Sequence, residues 1–171
     1  MKAAFIQKFG GPEVLQVGTL PDPVAGPGQV VVDIVTASIN GADPKVALGD
    51  YKQVNFPVIL GRDFSGTVAA VGEGVGDLAV GDAVFGVLET GRDGTYCEKV
   101  AVGAAIVARK PAAVSHVDAV AVALTGLTAL CAVEESLKLK SGETILVQGG
   151  AGGVASFAIQ LAKHLGARVL S

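Results

Sequence analysis

The residues whose types and spacing best suit chemistry lie late in the chain. Gly150, Ala151, Gly152, Gly153, Val154 and Ala155 spell G-x-G-x-x-A. Residues 144–148 before them form a short apolar run of the kind buried in a parallel sheet, and an amphipathic helical pattern follows. In that setting Gly150 allows a tight turn, Gly152 lets a pyrophosphate approach the backbone, and Ala155 is small enough for helix to pack on strand. Free N–H groups at the helix start, with the helix dipole behind them, favour phosphate charge. The spacing therefore predicts a dinucleotide site. The residue that reads the adenosine ribose is expected about 20 positions beyond the first glycine, at Leu170 and Ser171. No Asp or Glu stands there, which favours NADP over NAD without excluding NADH.

Other chemistries are poorly supplied. The chain has two cysteines, Cys97 and Cys131, and two histidines, His116 and His164, all scattered. A tetrahedral zinc site needs a clustered set of such ligands, and no C-x-x-C pattern or disulfide framework is present. Both cysteines read as small buried thiols. His116 falls at a predicted helix start and His164 on a polar helix face, so capping or solvation is expected of them.

The elements that must position the glycine turn follow from texture. Up to about residue 115, short β-branched runs are broken by turn residues: AAFIQKF, VLQVGTL, VVVDIVTASI, FSGTVAAV, DAVFGVL, GTYCEKVAV and AAIVARK, with breakers PDPVAGPGQ, GEGVGDLAVGD and TGRDG between them. This spacing predicts a small closed or partly closed β-barrel. Residues 40–48 are the one early stretch with helical character, ending at Gly49. Beyond Pro111 the period lengthens: Ser115 and Asp118 form a capping box for an apolar helix, residues 125–137 read as a second helix, and a strand and helix close the pattern. In the last helix Val154, Phe157, Ala158, Leu161, Ala162 and Leu165 share one face.

Composition narrows the partners. The chain has 171 residues and a formal net charge of -3, enough for one sizeable core or two small ones. No Lys/Arg cluster offers a footprint for nucleic acid or anionic lipid. The apolar run at residues 117–133 is shorter than the roughly 20 residues of a membrane span and reads as a buried helix. The N-terminus has no secretory pattern, so a cytoplasmic location is the default.

Several stretches together resemble one family. GRDFSGTVAAVGEGV (61–75), GDAVFG (81–86), GTYCEKV (94–100), LTGLTAL (124–130) and the glycine turn are similar to the zinc-free quinone oxidoreductase branch of the medium-chain dehydrogenase/reductase superfamily. The resemblance implies an α/β protein: a GroES-like β-barrel catalytic domain over residues 1–115, then the first part of a Rossmann domain over residues 116–171, with NADPH in the cleft between them. It implies hydride transfer to a quinone or to the double bond of an α,β-unsaturated carbonyl. Zinc-dependent relatives carry Cys where this chain has Asn40 and a His-Glu pair where it has Arg62 and Asp63, so no metal is expected. The resemblance places Asn40 and Thr128 beside the nicotinamide and Tyr51 at the substrate cleft, and puts Lys45 at the Lys of an N-x-x-D-x-K pattern. Lys45 or Tyr51 then supplies the hydrogen bond or proton to the oxygen that gains charge, while Asp43 caps or braces its loop. Relatives are often homodimers and continue for about as many residues again. The chain thus reads as the front of an NADPH-dependent oxidoreductase; the alternative is a non-catalytic GroES-like module acting through protein contacts. A sheet left incomplete in this way is expected to expose the apolar face of its last helix.

Overall fold

The structure is a computed structural model that describes residues 1–51, 55–89 and 94–171. The turn expected at residues 90–94 falls, apart from Gly94, outside the described residues. Packing divides the chain into two units, Met1–Val120 and Ala121–Ser171.

The first unit is built from the β-branched runs. Its strands are β1 (Lys2–Ile6), β2 (Gln16–Thr19), β3 (Gln29–Ala37), β4 (Val58–Ile59), β5 (Asp63–Val71), β6 (Ala83–Val87), β7 (Lys99–Gly103) and β8 (Val107–Arg109). The first α-helix, α1 (Ala42–Leu48), ends at Gly49. A five-stranded antiparallel sheet runs β7-β3-β5-β6-β8, beside a three-stranded sheet β2-β1-β4. Alternation along β3 and β5 sends Val30, Val32, Phe64 and Val68 inward, where they meet Val84, Val100 and Val102 in the main core.

Among the described residues these strands form two sheets that do not close into one barrel, so of the closed or partly closed forms expected from strand spacing the closed one is corrected. Outside its strand pairings, β1 reaches the chain leading into β7 through the isolated bridge Ala3↔Cys97. The chain then diverges toward β3. The breaker segment carries Pro21, Pro23 and Pro27, which lack the N–H groups a closing strand needs. A cleft of 430 Å³ opens along β7, lined in part by Met1, Pro23, Gln29, Ala101 and Ile106. None of the candidate site residues lines it.

The second unit starts within one long helix. Instead of two helices, α2 (His116–Leu130) passes directly into a π-helical segment, Cys131–Ser136. Thr125 and Thr128 donate their hydroxyls to the carbonyls of Ala121 (3.1 Å) and Leu124 (2.7 Å), one turn back. This back-bonding satisfies the polar groups without breaking the helix. The continuous segment His116–Ser136 is 21 residues long and contains an 18-residue stretch of mean hydropathy 1.7, long and apolar enough by length and composition to cross a membrane, and 28% of that stretch is buried. It is therefore longer and more exposed than the short buried helix the sequence suggested. Its start is held by the expected capping box: Ser115 Oγ accepts from the Asp118 N–H at 3.1 Å and donates to Asp118 Oδ2 at 2.6 Å. Farther along, Ala129 and Val133 pack with Ala158 of α3 (Gly153–His164), joined by Leu139, Phe157, Leu161 and Leu165. The apolar face of the last helix is thus covered in part, against expectation, because the π segment packs on it around Ala158, while Val154 stays exposed. Two short parallel strands, β9 (Thr144–Leu146) and β10 (Arg168–Leu170), flank α3 in sequence. Their outer residues Leu146 and Leu170 are exposed.

Candidate functional site: a glycine turn and a braced asparagine

The second unit places the glycine turn between β9 and α3 as the sequence spacing required. Helix α3 begins at Gly153 after Gly152, whose backbone is extended and offers no side-chain cap. The N–H groups of Gly153, Val154 and Ala155 have no acceptor among the described residues. Residues 151–154 are exposed. An α-helix start with free donors and no carboxylate over it is a cradle for negative charge.

The turn's geometry reassigns one glycine. The left-handed residue is Gly149, at φ 71°, and Gly150 is not in that region. Gly150 instead allows close packing: a Cβ there would lie 3.1 Å from Ile159 Cδ1 and 3.2 Å from Ser171 Cβ. The tight turn is thus supplied one residue earlier than expected, and Ser171 at the end of β10 lies against Gly150. Gly152 donates its N–H to Gly149 O at 2.8 Å. A Cβ on Gly153 would meet Thr125 Cγ2 at 3.3 Å. The structure therefore brings Thr125 to the turn, a neighbour that sequence reasoning missed. Thr128, one turn farther along α2, is exposed, with its proton committed to Leu124 O. Its lone pairs remain able to accept.

In the first unit Asn40 sits in the loop between β3 and α1, partly exposed. Its backbone N–H donates to Asp43 Oδ2 at 2.7 Å, and Tyr96 Oη donates to the same oxygen at 2.6 Å. Asp43 thus braces the loop as anticipated, and it is 4% exposed. Burial and the Asp43 carboxylate that accepts its proton push the Tyr96 hydroxyl pKa upward from its ordinary value, with Asp63 adding a smaller electrostatic contribution. Asn40 Nδ2 lies 3.1 Å from Ser38 Oγ and 3.3 Å from Asp63 Oδ1. Asp63, 1% exposed, also accepts from the Ser38 hydroxyl at 2.8 Å and the Ser38 N–H at 3.1 Å. Ser38 and Tyr96 joined this cluster only through folding: the β3–β5 ladder ends by pairing Ala37 with Phe64, which sets Ser38 beside Asp63.

Lys45 and Tyr51 are not drawn into that network. Lys45 is exposed on α1 with no ion pair among the described residues. Tyr51 is 50% exposed, and its hydroxyl has no hydrogen-bond partner among the described residues. Arg62 Nη2 donates to Leu88 O at 2.9 Å. Among the described residues no three His, Cys, Asp or Glu side chains gather as a metal-binding set.

His164 is exposed on α3, whereas His116 is tied to β5. His116 Nδ1 lies 2.8 Å from Ser65 Oγ, which donates its one proton to Val84 O at 2.9 Å, so the His116 Nδ1–H is the donor. Burial, helped by nearby Lys110, lowers the His116 pKa from its ordinary value. Neither cysteine forms a disulfide, and both are half-buried where full burial was expected. Cys97 Sγ lies 3.0 Å from Lys99 O.

Comparison with known proteins agrees with this architecture. The alcohol dehydrogenase GroES-like domain matches residues 26–166. An alcohol dehydrogenase superfamily protein from Novosphingobium aromaticivorans is 39% identical, with a TM-score of 0.92 over 99% of this chain and 52% of its own. The Escherichia coli quinone oxidoreductase, solved in complex with NADPH, is 32% identical, with a TM-score of 0.91 over 99% of this chain and 51% of its own. The 2-methylene-furan-3-one reductase of Solanum lycopersicum is 38% identical over 174 aligned residues, 96% of this chain and 45% of the reductase. This chain belongs to the alcohol dehydrogenase GroES-like domain family. It spans about half the length of these relatives.

Proposed function

We propose that this chain is the catalytic and cofactor-binding front of a metal-free, NADPH-dependent oxidoreductase that reduces a quinone or the double bond of an α,β-unsaturated carbonyl. The observation that carries the reading is the uncapped helix start at Gly153–Ala155, exposed at Gly153 and Val154 and set behind the glycine turn between two parallel strands. The residues fit the cofactor: small side chains leave the donors open, and nothing acidic stands at Ser171. Residues 1–115 receive the substrate, and residues 116–171 hold the adenosine and pyrophosphate end.

NADPH, when bound, supplies the hydride. Gly150 to Val154 border its diphosphate, which the free backbone N–H groups of Gly153 and Val154 would hold, Ser171 borders the ribose, and Asn40 and Thr128 contact the nicotinamide. Lys45 or Tyr51 donates to the substrate oxygen that gains negative charge; both are exposed with donors uncommitted among the described residues, the state in which a side chain can turn toward a ligand. The segment 116–136 serves as an internal helix, since its start is tied to Ser65 and its end packs on α3.

The test is an NADPH titration of the full-length protein followed by nicotinamide fluorescence, then NADPH oxidation with 1,4-naphthoquinone. Saturable binding and quinone-dependent turnover are expected. Absence of saturable binding would overturn the reading.

A further inference from the structure

The Asn40 side chain is held in one orientation by groups that can only accept. Asp63 Oδ1 lies 3.3 Å from Nδ2, the Ser38 carbonyl oxygen lies 3.5 Å from it, and Ser38 Oγ lies 3.1 Å away. An ionised carboxylate and a carbonyl have no proton to give. The Ser38 hydroxyl donates to both Asp63 oxygens at 2.8 Å, so it too presents only lone pairs to Asn40. Turning the amide over would set its oxygen against all three. The buried Asp63 carboxylate has no cation beside it among the described residues, so its charge is balanced by these N–H and O–H donors and makes any such reversal costly. The backbone of the same residue is pinned by Asp43, which Tyr96 holds in turn. What remains is Asn40 Oδ1, which has no donor among the described residues.

We infer that Asp63 and Ser38 are positioning residues that fix the Asn40 amide with its oxygen outward, so that Asn40 recognises a ligand N–H donor, the carboxamide of the nicotinamide ring. This rests on the NADPH reading above and extends it. The polarity decides between the two ligands of the reaction. A quinone or enone oxygen only accepts hydrogen bonds, and an outward carbonyl oxygen cannot serve it. The nicotinamide carboxamide carries an NH₂ group that can donate. Asn40 therefore sets the rotation of the nicotinamide and takes no part in stabilising the substrate oxygen, a task left to Lys45 or Tyr51.

The test compares NADPH with its reduced 3-acetylpyridine analogue, in which a methyl group replaces the carboxamide NH₂. Dissociation constants are measured for the full-length protein and three variants. The wild-type protein is expected to bind NADPH about tenfold more tightly than the analogue, the size of one hydrogen bond to a committed acceptor. Asn40→Ala brings the ratio close to one. Asp63→Asn, which lets the amide turn over, lowers the ratio to about threefold, and Ser38→Ala lowers it less. A wild-type ratio near one, or an unchanged ratio in Asn40→Ala, overturns the inference while leaving the NADPH reading intact. An unchanged ratio in Asp63→Asn overturns the positioning role, and if that variant does not fold, Ser38→Ala decides the point in the same way. Failure of the wild-type protein to bind NADPH at all overturns the NADPH reading and this inference with it.

Discussion

The two candidate binding regions are built by opposite means. Around Gly149–Val154 the donors are backbone groups from one contiguous stretch, and side chains matter there chiefly by being small. Around Asn40 the useful atom is a side-chain oxygen, aimed by Ser38, Asp43, Asp63 and Tyr96, which come from separate parts of the sequence. The first design separates binding from stability, because free amides hold nothing else together. The second couples them, since the carboxylates that aim Asn40 are also buried parts of the fold.

That contrast can be broken by experiment. Asp43→Ala leaves the Asn40 N–H and the Tyr96 hydroxyl without their acceptor in a buried place, and is expected to destabilise the protein by about 3 kcal/mol in urea unfolding. If instead stability holds, the coupling argued for this region is wrong. Gly152→Val should do the reverse. Its branched side chain would crowd Gly149 O, 3.2 Å from the new Cβ, and cover the exposed donors. NADPH affinity is expected to fall on the order of 100-fold, about 2.7 kcal/mol, with the melting temperature little changed. A large loss of stability there would show that the turn is part of the structural core.

Smaller changes sharpen the same distinction between local and long-range construction. Tyr96→Phe removes one donor from Asp43 and should cost about 1 kcal/mol, together with a loss of NADPH affinity as the Asn40 loop loosens. Ser115→Ala, which removes only a local helix cap, should cost about 1 kcal/mol without touching affinity. The smallest effect expected is the pH response of His116. Its folded-state pKa lies below the ordinary 6.5 because burial, then Lys110, disfavours the cation. Protonation therefore favours the unfolded chain. The stability it confers is complete above about pH 7.5 and declines as pH falls through 6.5. His116→Gln should flatten the melting temperature across that window, and a slope that persists unchanged would assign it to other groups.

Much of the fold was legible because its signals are local. Alternating β-branched runs located most of the strands, although β4, only Val58–Ile59, is too short to leave a pattern. The Ser115–Asp118 box and the α3 stripe were legible for the same reason. The helix break expected near residue 125 failed because Thr125 and Thr128 satisfy their hydroxyls inside the helix; whether the expected barrel was closed or only partly closed was not legible, because closure depends on how strand ends diverge in space.

By itself the sequence determined the glycine turn with its strand and helix, and hence where a diphosphate is proposed to sit, since all of that is written in adjacent residues and in backbone chemistry common to every helix start. It also named Asn40 through resemblance. Only the tertiary structure decided which way that amide points, because the partners that orient it, Ser38 and Asp63, are brought together by the end of the β3–β5 ladder. Hydrogen-bond polarity is a property of the assembled cluster, and no single stretch of chain carries it.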